Sequence, residues 1–576
     1  MIPTILDHNR MCLSAFKNDI YPRFPSSPTG KIHPNCICVG HNTEGSRASN
    51  YQIRVDLHVI SMGAKLGLDT SDSLATFKVR SLLTRTEQHH LQLLEIVHRS
   101  TMSEPSYFGT IRKHHKDFQQ GIDSGTTLPF VLPLSVINYQ LLILYLAYAK
   151  RWSLPSRIAI LVSVTLHSII CMRYCRSTGL AYGVVVGVAG AWSILLTFNL
   201  LFIHNPKIAF QRVIALDEKS SSVQPVEQSD RPKEDITWQP MPPKSLDRLF
   251  WILDLLGSLR LLHWSIEYQN DRPRQFRNRS GRYDKQVLTV GNCVRRLCLI
   301  YLAIDVLKEV VAADPYFWGF VDADLPGHII DYVKLPILGH VYRMLVAMVL
   351  IYLAITLITS AGHLLFILVL GPSIAGTWGH EWAYRPQHGG LMSIYQNGLR
   401  GFWGVYWHQM FRPMFTSFAN AAVVKLQLEM NSLAANLVRV FVPFTLSGMI
   451  HACGSYTLFG ATKPSNAFLF FLLQPLGLLL QSLCDRVLDG RNKSENTSYH
   501  IQGVTNLIFS LTWMLITFPL LADDFARGGL YLSEPFPVSV CELLGLGAAQ
   551  RSGTLWLHAG MKYHAGHFWW QSGIAL

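Results

Sequence analysis

Charge is scarce in this chain. Asp, Glu, Lys and Arg make up 15% of its 576 residues, where a soluble globular domain carries about 25%. A mean hydropathy of +0.22 accompanies the deficit, and together they exclude an ordinary soluble domain. A disulfide framework is missing too. The ten cysteines are scattered, and the Cys36/Cys38 pair has no second pair at metal-ligand spacing, so neither a stapled secreted fold nor a metal site is expected. The first 25 residues hold no continuous apolar core, so no signal peptide is read and the first internal span is left to serve for targeting. "GHEWAYRPQH" (379–388) lacks the second half of an HExxH zinc motif and reads as loop structure. No strong serine or cysteine nucleophile motif is present. Cys453 reads as a small apolar filler.

What the chain has instead is long uncharged runs. "LAYGVVVGVAGAWSILLTFNLLFI" (180–203), "FVLPLSVINYQLLILYLAYA" (130–149) and "MLVAMVLIYLAITLITSAGHLLFILVL" (344–370) are each long enough to cross the roughly 30 Å hydrocarbon core as a helix. Further candidates are 158–172, 437–460, 467–483 and 504–522, with 297–312 weaker because it holds Asp305, Lys308 and Glu309. The expected fold is an all-α polytopic membrane protein of about eight transmembrane helices. Three domains are expected: a polar N-terminal extension (1–127), a membrane domain (128–545) and a C-terminal tail (546–576).

The net charge of +13 needs no nucleic-acid partner, because much of it sits in short loops beside the spans. Lys150, Arg151 and Arg157 flank one, Arg486, Arg491 and Lys493 another, and "DRPRQFRNRSGRYDK" (271–285) is the densest cluster. Basic loops mark the cytoplasmic side and meet anionic lipid. Placing 204–295 in the cytoplasm puts the N-terminal extension in the lumen and brings the 371–436 loop back to the cytoplasm. The sequons at Asn278, Asn492 and Asn496 then face the cytoplasm, unglycosylated. Within 204–295, residues 213–245 read as a flexible linker. In 245–268, Leu249, Ile252, Leu253, Leu256, Leu259 and Leu262 recur at helical spacing around Asp254 and Arg260, which suits a helix lying in the cytoplasmic membrane surface or an amphipathic helix packed on the bundle.

Two histidines stand out. His451 lies in "FTLSGMIHACGSY" (444–456), a run otherwise nearly all apolar or small, and an ionisable group in a span is expensive enough to need a cavity or a partner. His408 lies in "GLRGFWGVYWHQMFRPMF" (398–415), beside Gln409 and between Arg400 and Arg412. The two can meet near the cytoplasmic face, where a coenzyme A ester would arrive. His363 and His167, in other spans, read as core or interhelical partners.

"FWGVYWHQMFR" followed by "SGMIHACG" resembles the wax-synthase-like branch of the membrane-bound O-acyltransferases, in which a "FWG..WHQ.FR" loop precedes an "SG..H" span. "RLFWILDLLGSLRLLHW" (248–264) is similar to that branch's "W..DLL.S.RG.GW" segment, with Leu261 and Leu262 where a glycine region is expected. "GGLYLSEPFPVSV" (528–540) matches its C-terminal end. The resemblance covers roughly 128–545.

It implies an acyl-CoA:alcohol O-acyltransferase. Fungal members of this layout commonly acetylate terpenoid or meroterpenoid secondary metabolites, with acetyl-CoA as co-substrate and no bound cofactor. Plant relatives esterify long-chain alcohols, so a wax or sterol ester synthase is the alternative within the class. A proton-coupled transporter is the alternative outside it, but the chain has no convincing internal repeat. In the acyltransferase reading His451 is the general base, and burial keeps it neutral. His408, Trp407 and Gln409 supply donors to the oxyanion. Arg400 and Arg412 meet coenzyme A phosphates, although each alone also fits a snorkelling interfacial arginine. Ser447, Gly448 and Gly454 leave room for substrate or allow close helix packing. The partners are an acyl-CoA, a lipophilic alcohol and membrane lipid. An endoplasmic reticulum location follows from the same resemblance.

Overall fold

A computed structural model describes residues 106–132, 134–149, 152–215, 236–262, 264–265, 288–327, 336–489, 495–533, 538–546, 562–566 and 571–575. All belong to the unit Ser103–Leu576. The basic cluster 271–285, the Cys36/Cys38 pair and the sequons at Asn278 and Asn492 lie outside the described residues.

Among the described residues the architecture is mainly helical. Along the chain run α1 (Tyr107–Asp123), α2 (Ile137–Tyr148), α3 (Leu154–Tyr174), α4 (Gly183–Phe198), α5 (Ser245–Gly257), α6 (Val290–Ala313), α7 (Pro336–Leu364), α8 (Met392–Gly401), α9 (Arg412–Lys425), α10 (Leu433–Tyr456), α11 (Pro464–Asp489), α12 (Glu495–Thr517) and α13 (Pro519–Arg527). Six stretches among the described residues are long and apolar enough to cross a membrane: Leu154–Tyr174, Gly183–Ile203, Pro336–Gly379, Leu433–Tyr456, Pro464–Val487 and His500–Arg527. The chain is an integral membrane protein with six such stretches among the described residues, against about eight expected. The other two expected spans are helices that fall short of this for different reasons. Helix α2 is apolar but has only 12 residues. Helix α6 is long enough, at 24 residues, but carries the charges noted above. Two of those charges, Asp305 and Lys308, are buried in protein. Asp305 accepts from the backbone N–H of Cys541 at 2.8 Å, and Lys308 donates to the Tyr531 carbonyl at 2.8 Å, which removes much of the cost of taking them out of water.

Capping residues set several helix starts. The hydroxyls of Ser153, Thr289 and Ser432 accept backbone N–H groups at the beginnings of α3, α6 and α10, as N-cap preferences require. Glycines set the close crossing of α4 and α10. A Cβ on Gly187 of α4 would lie 1.9 Å from the carbonyl oxygen of Cys453 on α10, and one on Gly454 would lie 2.8 Å from the Val184 side chain. Small residues of this kind let membrane helices approach backbone to backbone. Gly448 faces α11 similarly: a Cβ there would lie 3.0 Å from the Phe468 carbonyl oxygen. Of the two readings open for Gly448 and Gly454, helix packing is therefore the one observed.

Helix α1 precedes the domain boundary expected at 128. It buries Tyr107, Ile111 and Phe118, and the first two join a core cluster with Phe317, Phe402 and Phe470. The tail also contributes: Gly573–Ala575 pairs antiparallel with Val131–Leu132 and with Lys562–His564. The ends of the expected linker are ordered as well, Arg212–Ala215 pairing antiparallel with Ile236–Gln239. Next to that hairpin, α5 buries Trp251, Ile252, Leu255 and Leu256 in a cluster with Leu142 and Leu146. It leaves Leu246, Phe250 and Leu253 exposed. Both sequence readings of this segment thus have a counterpart, one on each face. Just after it, Leu261 takes φ 49°, in the left-handed region that favours glycine, at the position where the motif expects a glycine region.

Candidate active site

The segment carrying His408 is built in three steps. Gly398 breaks α8 at φ 57° and ψ −134°, where Gln481 packs so closely that a Cβ would lie 2.3 Å from its amide nitrogen. Phe402–Tyr406 then winds as a π-turn, closed by the Trp407 N–H on the Phe402 carbonyl at 2.7 Å. Such wide turns are rare and recur at functional sites. Pro413, in the first turn of α9, restarts a regular helix. Trp407, His408 and Gln409 sit in the short irregular piece between.

His451 lies on α10 in a repeat the sequence contains at every fourth position. Arg439, Pro443, Ser447 and His451 all line one cavity of about 330 Å³, as residues four apart share a helix face. Arg400, Trp407, His408, Gln409 and Arg412 line the same cavity. The structure therefore brings all six sequence-selected residues to one place.

Their contacts differ. The Nδ1 of His451 lies 2.8 Å from the carbonyl oxygen of Ser447. A carbonyl only accepts, so the proton is on Nδ1 and Nε2 keeps its lone pair. The ring packs on Phe471, centroids 4.2 Å apart. His408 has a buried Nδ1 with no hydrogen-bond partner among the described residues. Burial holds its pKa far below the ordinary 6.5, down to about 3, and His451, His388 and Arg260 push the same way. Gln409 is fully engaged: Nε2 donates to the carbonyls of Trp403 at 3.1 Å and Trp407 at 2.6 Å, and Oε1 accepts from Arg412 at 2.9 Å. Both N–H groups of Gln409 are thus engaged on loop carbonyls in this structure. Arg412 also donates to the Gly404 carbonyl at 2.7 Å, and Arg400 pairs with Asp485.

Four neighbours were not singled out from the sequence. Arg439 lines the cavity and bonds Asn420 and the Met430 carbonyl. Phe444 and Phe471 line it as well. His388, read as loop structure, packs its ring 6.3 Å from that of His408 and 4.2 Å from Tyr352. Arg439 was visible as the fourth member of the every-fourth-residue repeat. Nothing local marks Phe471, which arrives from a different helix. His363 packs on Tyr384 at 4.1 Å, and His167 lies 3.6 Å from the Cys171 Sγ.

Asp254, from the "DLL" motif, ties the layers behind the site. It pairs with Arg212 at 2.9 Å and accepts from the Trp378 indole. Arg260 of the same motif donates to the Pro386 carbonyl at 3.1 Å, two residues before His388.

Residues 384–473 match the Membrane bound O-acyl transferase family. It is the family that the two histidine motifs pointed to, and the matched segment holds both histidines. Acetyltransferase eriL of Hericium erinaceus is 27% identical over 172 residues, 29% of this chain and 40% of its own. Acetyltransferase pyr8 of Aspergillus fumigatus is 30% identical over 158 residues, 27% and 36% of the respective chains. O-Mevalon transferase yanI of Aspergillus niger is 25% identical over 277 residues, 45% and 53%. The chain thus spans about half, or less, of the length of these curated relatives. No solved structure matches.

Proposed function

We propose that this chain is a membrane-bound O-acetyltransferase that moves an acetyl group from acetyl-CoA to a hydroxyl of a lipophilic terpenoid or meroterpenoid alcohol in secondary metabolism. The observation that carries the reading is the tautomer of His451: with Nδ1–H held on the Ser447 carbonyl, Nε2 is the basic nitrogen in a cavity that also holds His408 and three arginines.

In the reaction Nε2 takes the proton of the alcohol as its oxygen attacks the thioester carbonyl, assistance typically worth about 10²–10⁴-fold. The C–S bond breaks, and the proton passes from His451 to the departing coenzyme A thiolate. No covalent acyl-enzyme is required. His408, neutral because it is buried, and Trp407 donate N–H groups to the oxyanion, which is stabilised most by donors fixed in advance. Gln409 keeps them fixed. Arg400, Arg412 and Arg439 meet the coenzyme A phosphates at the mouth.

The printed names of eriL and pyr8 support acetyl as the acyl group, and a cavity of about 330 Å³ lies at the small end of the range for small-molecule sites. The reaction is assigned to residues 128–545. The proposed location is the endoplasmic reticulum with the 371–436 loop facing the cytoplasm, as the basic loops favour. The test supplies labelled acetyl-CoA or palmitoyl-CoA, with a panel of terpenoid, sterol and fatty alcohols, to microsomes carrying the chain. An acetyl ester of a terpenoid supports the reading. A palmitoyl ester with no acetyl ester replaces it with the wax or sterol ester alternative.

A further inference from the structure

A side-chain amide inside a membrane span is costly unless it is paired, and α11 carries two of them. Gln474 and Gln481 lie in the apolar stretch Pro464–Val487, and both are buried. Seven residues apart, they share a helix face with Phe471 and Asp485. That face meets both catalytic segments. Phe471 packs on His451, centroids 4.2 Å apart, and Asp485 pairs with Arg400. The two glutamines between them bond the stretch that leads to His408.

Gln481 holds the entry to that stretch. Its Oε1 accepts the Leu399 N–H at 2.9 Å, and its Nε2 donates to the Asn397 carbonyl at 3.1 Å. The two bonds straddle Gly398, where α8 breaks. The same Nε2 donates at 3.1 Å to Oδ1 of Asn506 on α12, which in turn donates to the Tyr395 and Gln396 carbonyls at 3.2 and 3.1 Å. Gln474 holds the π-turn itself. Its Oε1 accepts the Trp403 indole N–H at 3.2 Å, and its Nε2 donates to the Phe470 carbonyl at 2.8 Å and the Thr517 hydroxyl at 3.3 Å. The Trp403 carbonyl accepts from Gln409, the residue beside His408. A chain of contacts thus runs from α11 through Trp403 to the neighbour of His408.

His408 and His451 come from different elements, so acyl transfer between them needs a part that fixes one against the other. Helix α11 touches both. We infer that Gln474 and Gln481 are positioning residues, registering the turn that carries His408 against the helix face on which His451 packs. This rests on the acyl-transfer reading above. Neither amide takes part in the proton transfer. Their effect is on distance, and a misplacement of about 1 Å in a catalytic group can cost about 10²-fold.

The test measures kcat and KM for acetyl-CoA, with an alcohol the intact chain esterifies, in microsomes carrying the intact chain, Gln474→Met or Gln481→Met. Methionine keeps the length of the side chain and removes its hydrogen bonds. Rates are taken per folded, membrane-inserted protein. kcat should fall by about 10–10²-fold in each variant, by more than KM rises. Gln474→Glu and Gln481→Glu keep the oxygen that accepts from Trp403 or Leu399 and should recover part of the loss. They also serve where a methionine variant fails to fold. The deciding readout is the same substitutions made in His408→Ala. A residue that acts through His408 has nothing left to position there, so the second substitution should cost no further activity. The same fold loss with and without His408 marks a general packing role and overturns the inference, as does full activity of both methionine variants. Either outcome leaves acetyl transfer standing. No ester from the intact chain with any donor or alcohol overturns the acyl-transfer reading itself.

Discussion

Gln409 donates to the backbone carbonyl of Trp407, two residues before it, at 2.6 Å, and with its other N–H to the carbonyl of Trp403. One amide thus clamps both ends of the turn that presents His408. Gln409→Ala leaves two partly buried carbonyls unpaired, at about 1–3 kcal/mol each. Ester formation and the detergent melting temperature should both fall. Gln409→Glu should not restore them, because a carboxylate has no N–H to give. Equal activity and melting in Gln409→Glu and the intact chain would contradict the clamp.

Packing between α4 and α10 gives a second prediction. Gly187→Ala places a Cβ where the Cys453 carbonyl already sits, and overpacking of this kind costs typically about 1–3 kcal/mol. The yield of monodisperse protein in detergent should drop. Gly362→Ala, in α7 with open space around the new methyl, should be neutral or slightly stabilising.

The pH dependence of stability follows from His408 and His388. Burial lowers their pKa values to about 3 and about 4, from an ordinary 6.5. Between those values and 6.5 the unfolded chain binds protons that the folded chain refuses, so stability is fully present above 6.5 and is lost as the pH falls through that window. Thermal melts from pH 8 to pH 5 should show that decline, and His408→Gln combined with His388→Gln should flatten it.

Arg212 and Asp254 form a mostly buried pair, and burial raises the Asp254 pKa against the opposing pull of Trp378 and Arg212. Removing only the cation strands the acid, which typically costs about 3–5 kcal/mol in a buried pair. Arg212→Ala should therefore lower the melting temperature more than Asp254→Asn. The reverse order would contradict the cost assigned here to the stranded acid.

Sequence and structure agree where the signal is local. His408 and His451 were legible as neighbours of one cavity because the motifs that carry them stand out from the apolar and aromatic runs around them, and the long uncharged runs marked the spans. The contacts of Gln409 were not legible, since its two acceptors are backbone atoms placed by a π-turn that no residue pattern announces. Helix α1 was hidden because Tyr107, Ile111 and Phe118 are diluted by polar neighbours and find their partners, Phe317 and Phe459 among them, hundreds of residues later. The every-fourth-residue repeat from Arg439 to His451 was present in the sequence but acquires meaning only when one face of α10 is seen to border a cavity. Phe471 and His388 reach the site from other elements, which no pattern within either segment encodes.

The central claim is that Nε2 of His451 is the base. Its most direct test compares the intact chain with His451→Ala at matched protein level in microsomes, following ester formation from labelled acetyl-CoA and an accepted alcohol. The account predicts a loss of about 10²–10⁴-fold with the protein still folded and membrane-inserted. Ester formation by His451→Ala at the rate of the intact chain would contradict it.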